Sequence, residues 1–219
     1  MSRRGEILNE MGLSPVWRLR TTNKEAPEHR SDDIALMDWT QLKAKVAGCT
    51  DCKLRAGCTQ TVFGVGDEKA SWMLVGEAPG SEEDRLGEPF VGQAGKLLDN
   101  MLAAIALERG KSVYIANVLK CRPPGNRNPE SDEVAKCAPH LLRQIGLIQP
   151  KLILAMGRFA AQTLLGTDAS IASLRGRTHQ YAGVPLIVTY HPAYLLRNLP
   201  DKSKAWADLV FAKRTISGG

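Results

Sequence analysis

The chain has 219 residues, of which 43% are hydrophobic and 24% are charged, so it can bury a sizeable core without disulfide bonds. No run of roughly 18 apolar residues occurs and no apolar segment follows the first arginines, which excludes a membrane-spanning helix and a secretory signal and predicts a cytoplasmic protein. The net charge of +6 is concentrated in residues 111–219, which suits either a phosphate-bearing partner such as nucleic acid or simply a solvated basic surface.

Residues 1–40 differ in composition from the rest of the chain. A short helix is predicted around residues 7–13, and the polar, charged stretch 21–33 has the composition of a flexible linker. We therefore predict a partly flexible N-terminal extension over residues 1–40 and a compact domain over residues 41–219, beginning where apolar residues recur at helical spacing after Trp39.

The compact domain alternates between short apolar runs and amphipathic segments. The apolar runs predict four strands, at residues 71–75, 113–119, 151–157 and 186–190. The amphipathic segments predict helices at residues 97–105, 132–145, 158–165 and 202–213. This alternation predicts an α/β fold with a parallel sheet between two layers of helices.

Polar residues stand at the ends of three of the predicted strands. Glu77, Asn117 and His191 each follow or close an apolar run. In open α/β sheets ligands bind at the carboxyl edge of the strands, so we predict that these three side chains share one active site. Taken singly, the turn that carries Glu77 is also compatible with a mere strand-ending turn, and a lone histidine such as His191 with a structural role.

The segments around these residues indicate a site for a flat, polar ring. The turn of residues 76–80 carries two glycines, which permit close approach of the backbone to a ligand. Phe90 stands in a loop before a helix, where it is either a stacking platform or a core residue. The amide of Asn117 offers a donor and an acceptor side by side, as the Watson–Crick edge of a pyrimidine requires.

Four of the five cysteines form a paired pattern. Cys49 and Cys52 are separated by two residues, and Cys121 and Cys137 follow about seventy residues later. In a reducing compartment such cysteines are more plausibly metal ligands than disulfides, and the spacing alone suits either zinc or an iron–sulfur cluster. We interpret Cys58 as a small buried residue that is not a ligand.

The motifs taken together closely resemble those of the family 4 uracil-DNA glycosylases. The matching stretches are GEAPG at 76–80, PFVG at 89–92, NVLKCRPPGNR at 117–127 and TYHPAYLLR at 189–197. The resemblance covers roughly residues 45–215 and leaves the N-terminal extension outside.

The resemblance implies a three-layer α/β/α fold with a central four-stranded parallel sheet. It implies a [4Fe-4S] cluster held by Cys49, Cys52, Cys121 and Cys137. The resemblance thereby favours an iron–sulfur cluster over zinc, a choice that the cysteine spacing alone left open. The implied activity is removal of uracil from DNA, the first step of base excision repair, and the implied partner is uracil-containing DNA in the nucleoid. A monomer is expected, and residues 1–40 are the expected place for any protein partner.

The resemblance also implies roles for the site residues. Phe90 would stack on a flipped uracil, Asn117 would read its polar edge, and His191 would bind the uracil oxygen on which charge develops. Ala78, through its backbone, and Glu83 would line the pocket. Glu77 would be the carboxylate nearest the attacking water, and Arg197 would contact the DNA.

Two alternatives stay open at this stage. A related branch links the excised DNA covalently to a histidine in a basic loop and has Gln at the position of Ala78; His179 lies in a comparable stretch, but its neighbours differ. A non-catalytic module that senses nucleic acid through the same pocket is the main rival to an enzyme.

Overall fold

The computed structural model describes Glu10 and residues 34–218, and it shows an α/β fold built on one mixed sheet of six strands. The predicted helix at residues 7–13 and the predicted linker lie outside the described residues, apart from Glu10. The strands, in chain order, are β1 (Val65–Gly66), β2 (Trp72–Gly76), β3 (Val113–Asn117), β4 (Leu152–Met156), β5 (His179–Tyr181) and β6 (Val184–Thr189).

The sheet order is β1-β3-β2-β4-β6-β5, and its four central strands are parallel. These are the four strands that the apolar runs predict. The expected sheet of four parallel strands is nevertheless incomplete, because β1 and β5 pair antiparallel at the two edges. Both edge strands are too short, at two and three residues, and too exposed to leave an apolar run in the sequence.

The helices lie before, between and after the strands. They are α1 (Trp39–Ala47), α2 (Ser81–Leu86), α3 (Gln93–Ala104), α4 (Ser131–Ile148), α5 (Arg158–Leu165), α6 (Ile171–Leu174), α7 (Pro192–Leu195) and α8 (Lys202–Ser217). The four predicted helices correspond to α3, α4, α5 and α8, whereas α2 is not among them, because its acidic sequence shows no apolar stripe.

The sheet is covered by apolar side chains on both faces. Along β2 the residues alternate between two core clusters, so that Leu74 packs with the side of α3 and α8 and Val75 with the side of α4 and α5. Every residue of β2, β3 and β4 is buried, as expected for strands of a parallel sheet with helices on both faces.

The described part of the chain already packs as a folded unit before residue 41. Ile34 is buried with Leu42, Val46 and Phe63, and Asp38 closes a capping box at the start of α1. The main-chain carbonyl of Met37 accepts a hydrogen bond of 2.6 Å from the Arg143 guanidinium. Among the residues described, no helix is long and apolar enough to cross a membrane.

A buried ion pair fixes α8 to the end of β6. Asp208 accepts hydrogen bonds from Thr189 Oγ1 at 2.8 Å and from the Arg175 guanidinium at 2.6 and 2.8 Å. The side chains of Asp208 and Arg175 are only 2% and 14% exposed, and Arg175 also stacks over the ring of Tyr190. The pair therefore holds the strand end that leads into His191.

Removing one member of this pair should cost far more stability than removing an exposed pair. We expect Asp208→Ala to lower the free energy of unfolding by about 3–5 kcal/mol, because it leaves the Arg175 cation buried without its partner. Glu108→Ala, which breaks the exposed pair with Lys111, is the control and should cost less than about 1 kcal/mol. Equal losses in urea unfolding would contradict the role given to Asp208.

Candidate functional site

A cleft of about 860 Å³ opens at the carboxyl ends of the four central strands. All of the site residues predicted outside the cysteine set line it: Glu77, Ala78, Glu83, Phe90, Asn117, His191 and Arg197. The structure thus brings together residues that are up to 120 positions apart in the chain, which is the arrangement that the strand ends predict.

Asn117 closes β3 and presents an unsatisfied oxygen to the cleft. The residue is 2% exposed, and its Oδ1 atom is buried without a hydrogen-bond partner among the residues described. Its neighbour on β2 is Gly76, where an added Cβ would lie 2.4 Å from that Oδ1 atom and 2.8 Å from Cζ of Phe90. Only glycine at this position lets the amide and the ring approach as they do.

Phe90 is held in a strained backbone conformation. Its φ of 56° lies in the left-handed region, which a phenylalanine adopts only when the surroundings enforce it. Arg109 donates a hydrogen bond of 2.9 Å to the Phe90 carbonyl. In the residues that follow Phe90, the peptide N–H groups of Val91 and Gly92 donate hydrogen bonds to Glu83 Oε1. Glu83 therefore positions this loop, in addition to lining the cleft.

His191 follows β6 directly and begins α7. Its Nδ1 accepts the peptide N–H of Ala193 at 3.1 Å, so that the neutral ring carries its proton on Nε2. Desolvation in the cleft lowers the pKa of His191 to about 4, although the nearby Glu83 acts in the opposite direction. The imidazole is consequently neutral at physiological pH and offers one N–H donor. Its ring stacks on Phe90, with centroids 5.4 Å apart.

Glu77 is a carboxyl group poised between its two protonation states. Partial burial in the cleft raises its pKa to about 7, while the positive charge of Arg158 acts in the opposite direction. A carboxyl group with such a pKa in a cleft is typical of a functional site.

Several cleft residues were missed in the sequence. Arg158 and Phe159 follow β4 directly, so the rule that ligands bind at the carboxyl ends of the strands also applies to them. Arg127 also lines the cleft and is held by an ion pair with the buried Glu133. His179 does not line the cleft: it lies on the edge strand β5, where its Nε2 is 2.8 Å from the Leu174 carbonyl.

Behind the cleft, the four predicted cysteines meet around a second, smaller cavity, called the thiol cavity here. It is lined by Cys49, Cys52, Cys121 and Cys137, and all five cysteines of the chain are free thiols. Burial raises the pKa of Cys137 to about 11 and raises that of Cys121 further, and neighbouring thiols add to both shifts.

Buried thiols with raised pKa values are protonated at neutral pH, and they become thiolates when a bound metal cation displaces their protons. The donor set therefore fits a zinc ion or an iron–sulfur cluster. Cys58 is buried beside Cys121 in the same apolar cluster but does not line the thiol cavity.

Lys120 joins the thiol cavity to the cleft. Its peptide N–H donates to Cys137 Sγ at 3.3 Å, and its side chain is 2% exposed. The ammonium group donates to the main-chain carbonyl of Asn117 at 3.0 Å and to Gln144 Oε1 at 2.7 Å. The end of β3 is thus tied to the cysteine site through a single residue.

Residues 63–210 match the family model of the uracil DNA glycosylase superfamily. The type-4 uracil-DNA glycosylase of Archaeoglobus fulgidus is 47% identical over 69% of the chain and 80% of the relative. That of Pyrobaculum aerophilum is 43% identical over 80% of the chain and 92% of the relative. A type-5 uracil-DNA glycosylase of Thermus thermophilus is more distant, at 32% identity over 59% of the chain and 68% of the relative.

The titration of Glu77 tests the electrostatics of the cleft. We expect its carboxyl carbon to titrate near pH 7 in an NMR experiment, and we expect Arg158→Ala to move the midpoint upward, because the lost cation favoured the carboxylate. Arg85→Ala, which removes an exposed guanidinium paired with Glu82, should leave the midpoint in place. A midpoint near 4.5 in the unmodified protein would contradict the desolvation argument.

Proposed function

Because this chain belongs to the type-4 enzymes of the uracil-DNA glycosylase superfamily, we propose how the residues of its cleft remove uracil from DNA. The protein is a glycosylase of DNA repair: it hydrolyses the bond between uracil and the sugar and leaves an abasic site. The observation that carries the assignment of roles is the convergence of Phe90, Asn117 and His191 on one cleft, with an unpaired amide oxygen and a neutral imidazole.

Uracil is recognised after it has left the duplex. Flipping a nucleotide out costs roughly a few kcal/mol, and the cleft supplies the compensating contacts. The ring of Phe90 offers a stacking surface, and the unpaired Oδ1 of Asn117 accepts the N3–H of uracil while the amide N–H donates to O4. Cytosine has an acceptor at N3 and a donor at C4, so the same amide is mismatched against it.

Cleavage of the glycosidic bond separates charge, and groups in the cleft stabilise both the negative and the positive charge. As the glycosidic bond breaks, negative charge grows on uracil O2 and positive charge grows on the sugar. The Nε2–H of the neutral His191 donates to the oxygen, and the carboxylate of Glu77 stabilises the sugar and orients the attacking water. A neutral donor suits this role because its hydrogen bond strengthens as the charge develops.

The basic residues at the cleft supply the grip on DNA. Arg197 and Arg158 are exposed, and Arg127 is half-buried at the same rim. Guanidinium groups in such positions bind phosphates, which gives affinity without sequence preference. A cytoplasmic location with action at the nucleoid, the monomeric state and a protein partner for residues 1–40 stay predictions.

Cys49, Cys52, Cys121 and Cys137 would hold the [4Fe-4S] cluster. Four free thiols around one cavity and the buried Lys120 cation beside them support this proposal. When bound, the cluster would be a structural group that ties the chain segments of its four ligands together.

The assigned activity is tested with a labelled oligonucleotide that contains one uracil. We expect alkali-labile strand breaks at the uracil position after incubation with the protein and none in the matching thymine oligonucleotide. Binding without strand breaks would identify the protein as a sensor of nucleic acid instead of an enzyme.

His191→Ala should lower the single-turnover excision rate by about 10²–10³ while changing DNA affinity little, because its hydrogen bond forms fully only in the transition state. Arg197→Ala, on the same segment, is the matched comparison: it should weaken binding and reduce the salt slope by about one charge with little effect at saturation. If His191→Ala binds poorly but cleaves normally at saturation, the histidine is a DNA contact only.

Ligation of the cluster is tested by iron content and stability. We expect Cys137→Ala to lose iron and to unfold at lower urea concentration, since metal binding is coupled to folding. Cys58→Ala is the control, because it removes the thiol of a buried cysteine that does not line the thiol cavity. This variant protein should retain its iron. The reverse pattern would show that the ligand assignment is wrong.

A further inference from the structure

His140 is a buried histidine that the proposed mechanism does not use. It lies on α4, three residues after Cys137, and is 1% exposed. Neither ring nitrogen has a hydrogen-bond partner among the residues described. A neutral imidazole always carries one N–H, and leaving such a donor buried and unpaired costs about 1–3 kcal/mol.

The surroundings of His140 indicate what the missing partner is. The residue lines the thiol cavity together with the four cysteines. One ring nitrogen, Cys49 Sγ and a carboxylate oxygen of Asp51 all lie within 4.8 Å of one another. The charges of Lys120, Asp51 and Lys45 also act on the ring.

Two acceptors lie near that ring nitrogen, the Cys49 sulfur and the Asp51 carboxylate, and of these the sulfur becomes a thiolate when a cluster is bound. Four cysteines already supply the four thiolates that a [4Fe-4S] cluster requires, which leaves the imidazole free to act as a donor.

We propose that His140 donates its ring N–H to the Cys49 sulfur when the cluster is bound and thereby raises the reduction potential of the cluster. The inference rests on the proposed cluster. The reduced cluster carries one more negative charge than the oxidised cluster, so a hydrogen bond to a ligand sulfur stabilises the reduced form more. His140 is accordingly a positioning and tuning residue outside the catalytic site.

The test compares two histidine variants of the full chain, purified without oxygen. His140→Phe keeps a planar ring of similar size and removes both nitrogens. We expect it to retain about four irons per chain and to be reduced about tenfold less favourably, a shift of about 59 mV to lower potential in voltammetry. His179→Phe removes an imidazole that is bonded to Leu174 on β5, and it should leave the potential unchanged.

An intact cluster with an unchanged potential in His140→Phe overturns the proposal. A second measurement on the unsubstituted protein covers the case in which the variant does not fold. With ¹⁵N-labelled histidine, pulsed electron paramagnetic resonance of the paramagnetic cluster should show a weak coupling to one ring nitrogen, and this coupling should survive in His179→Phe.

Absence of any nitrogen coupling overturns the hydrogen bond, and a strong coupling typical of a directly bound nitrogen overturns it in favour of a ligand role. Iron analysis of the unsubstituted protein separates the two levels of the argument. If that protein holds no iron, the cluster proposal fails first and the role of His140 fails with it.

Discussion

The ammonium group of Lys120 is buried between the thiol cavity and the cleft, and the geometry of both depends on how its charge is satisfied. Two of its donors meet the Asn117 carbonyl and Gln144 Oε1. Burial lowers the pKa of Lys120 to about 8, while the neighbouring Cys137 opposes this shift. Negative charge nearby stabilises a buried cation of this kind, and thiolates bound to a metal would provide it. Gln144 extends the contact to the Phe63 carbonyl, so α4, the end of β3 and the segment before β1 are fixed together.

The cleft combines groups whose ordinary charges are suppressed with groups whose charges are retained. His191 is kept neutral and Glu77 is held near the midpoint of its titration, whereas the guanidinium group of an arginine, as at the rim, is a permanent cation in proteins. This division follows from depth: the inner groups lose hydration, whereas the rim groups keep it. The strained backbone of Phe90 and the glycine at position 76 have the same effect: both allow the Phe90 ring and the Asn117 amide to lie close together in the cleft.

Much of this architecture could be read from the sequence, for identifiable reasons. The four central strands are long apolar runs because both their faces are buried, and polar residues at their ends are conspicuous against that background. β1 and β5 could not be found in this way, since they are short and depend on neighbouring strands for their hydrogen bonds, and the acidic sequence of α2 has no apolar stripe. The spacing of Cys137 and His140 along one helix was visible, but the absence of any partner for the imidazole is a property of the packed structure. The function of Glu83 as a clamp on two peptide groups likewise depends on a turn that no residue pattern specifies.

The two antiparallel edge strands also determine how the sheet ends. A parallel sheet that stopped at β3 and β6 would expose rows of unpaired peptide groups along five- and six-residue strands, which are templates for pairing with another chain. Instead a two-residue strand covers the edge of β3, and a three-residue strand covers the edge of β6. Pro185 lies in β6 itself. Each outer edge is therefore short, and the β5 edge is polar. Among the residues described, such short outer edges offer few peptide groups for pairing with another chain, which limits edge-to-edge aggregation.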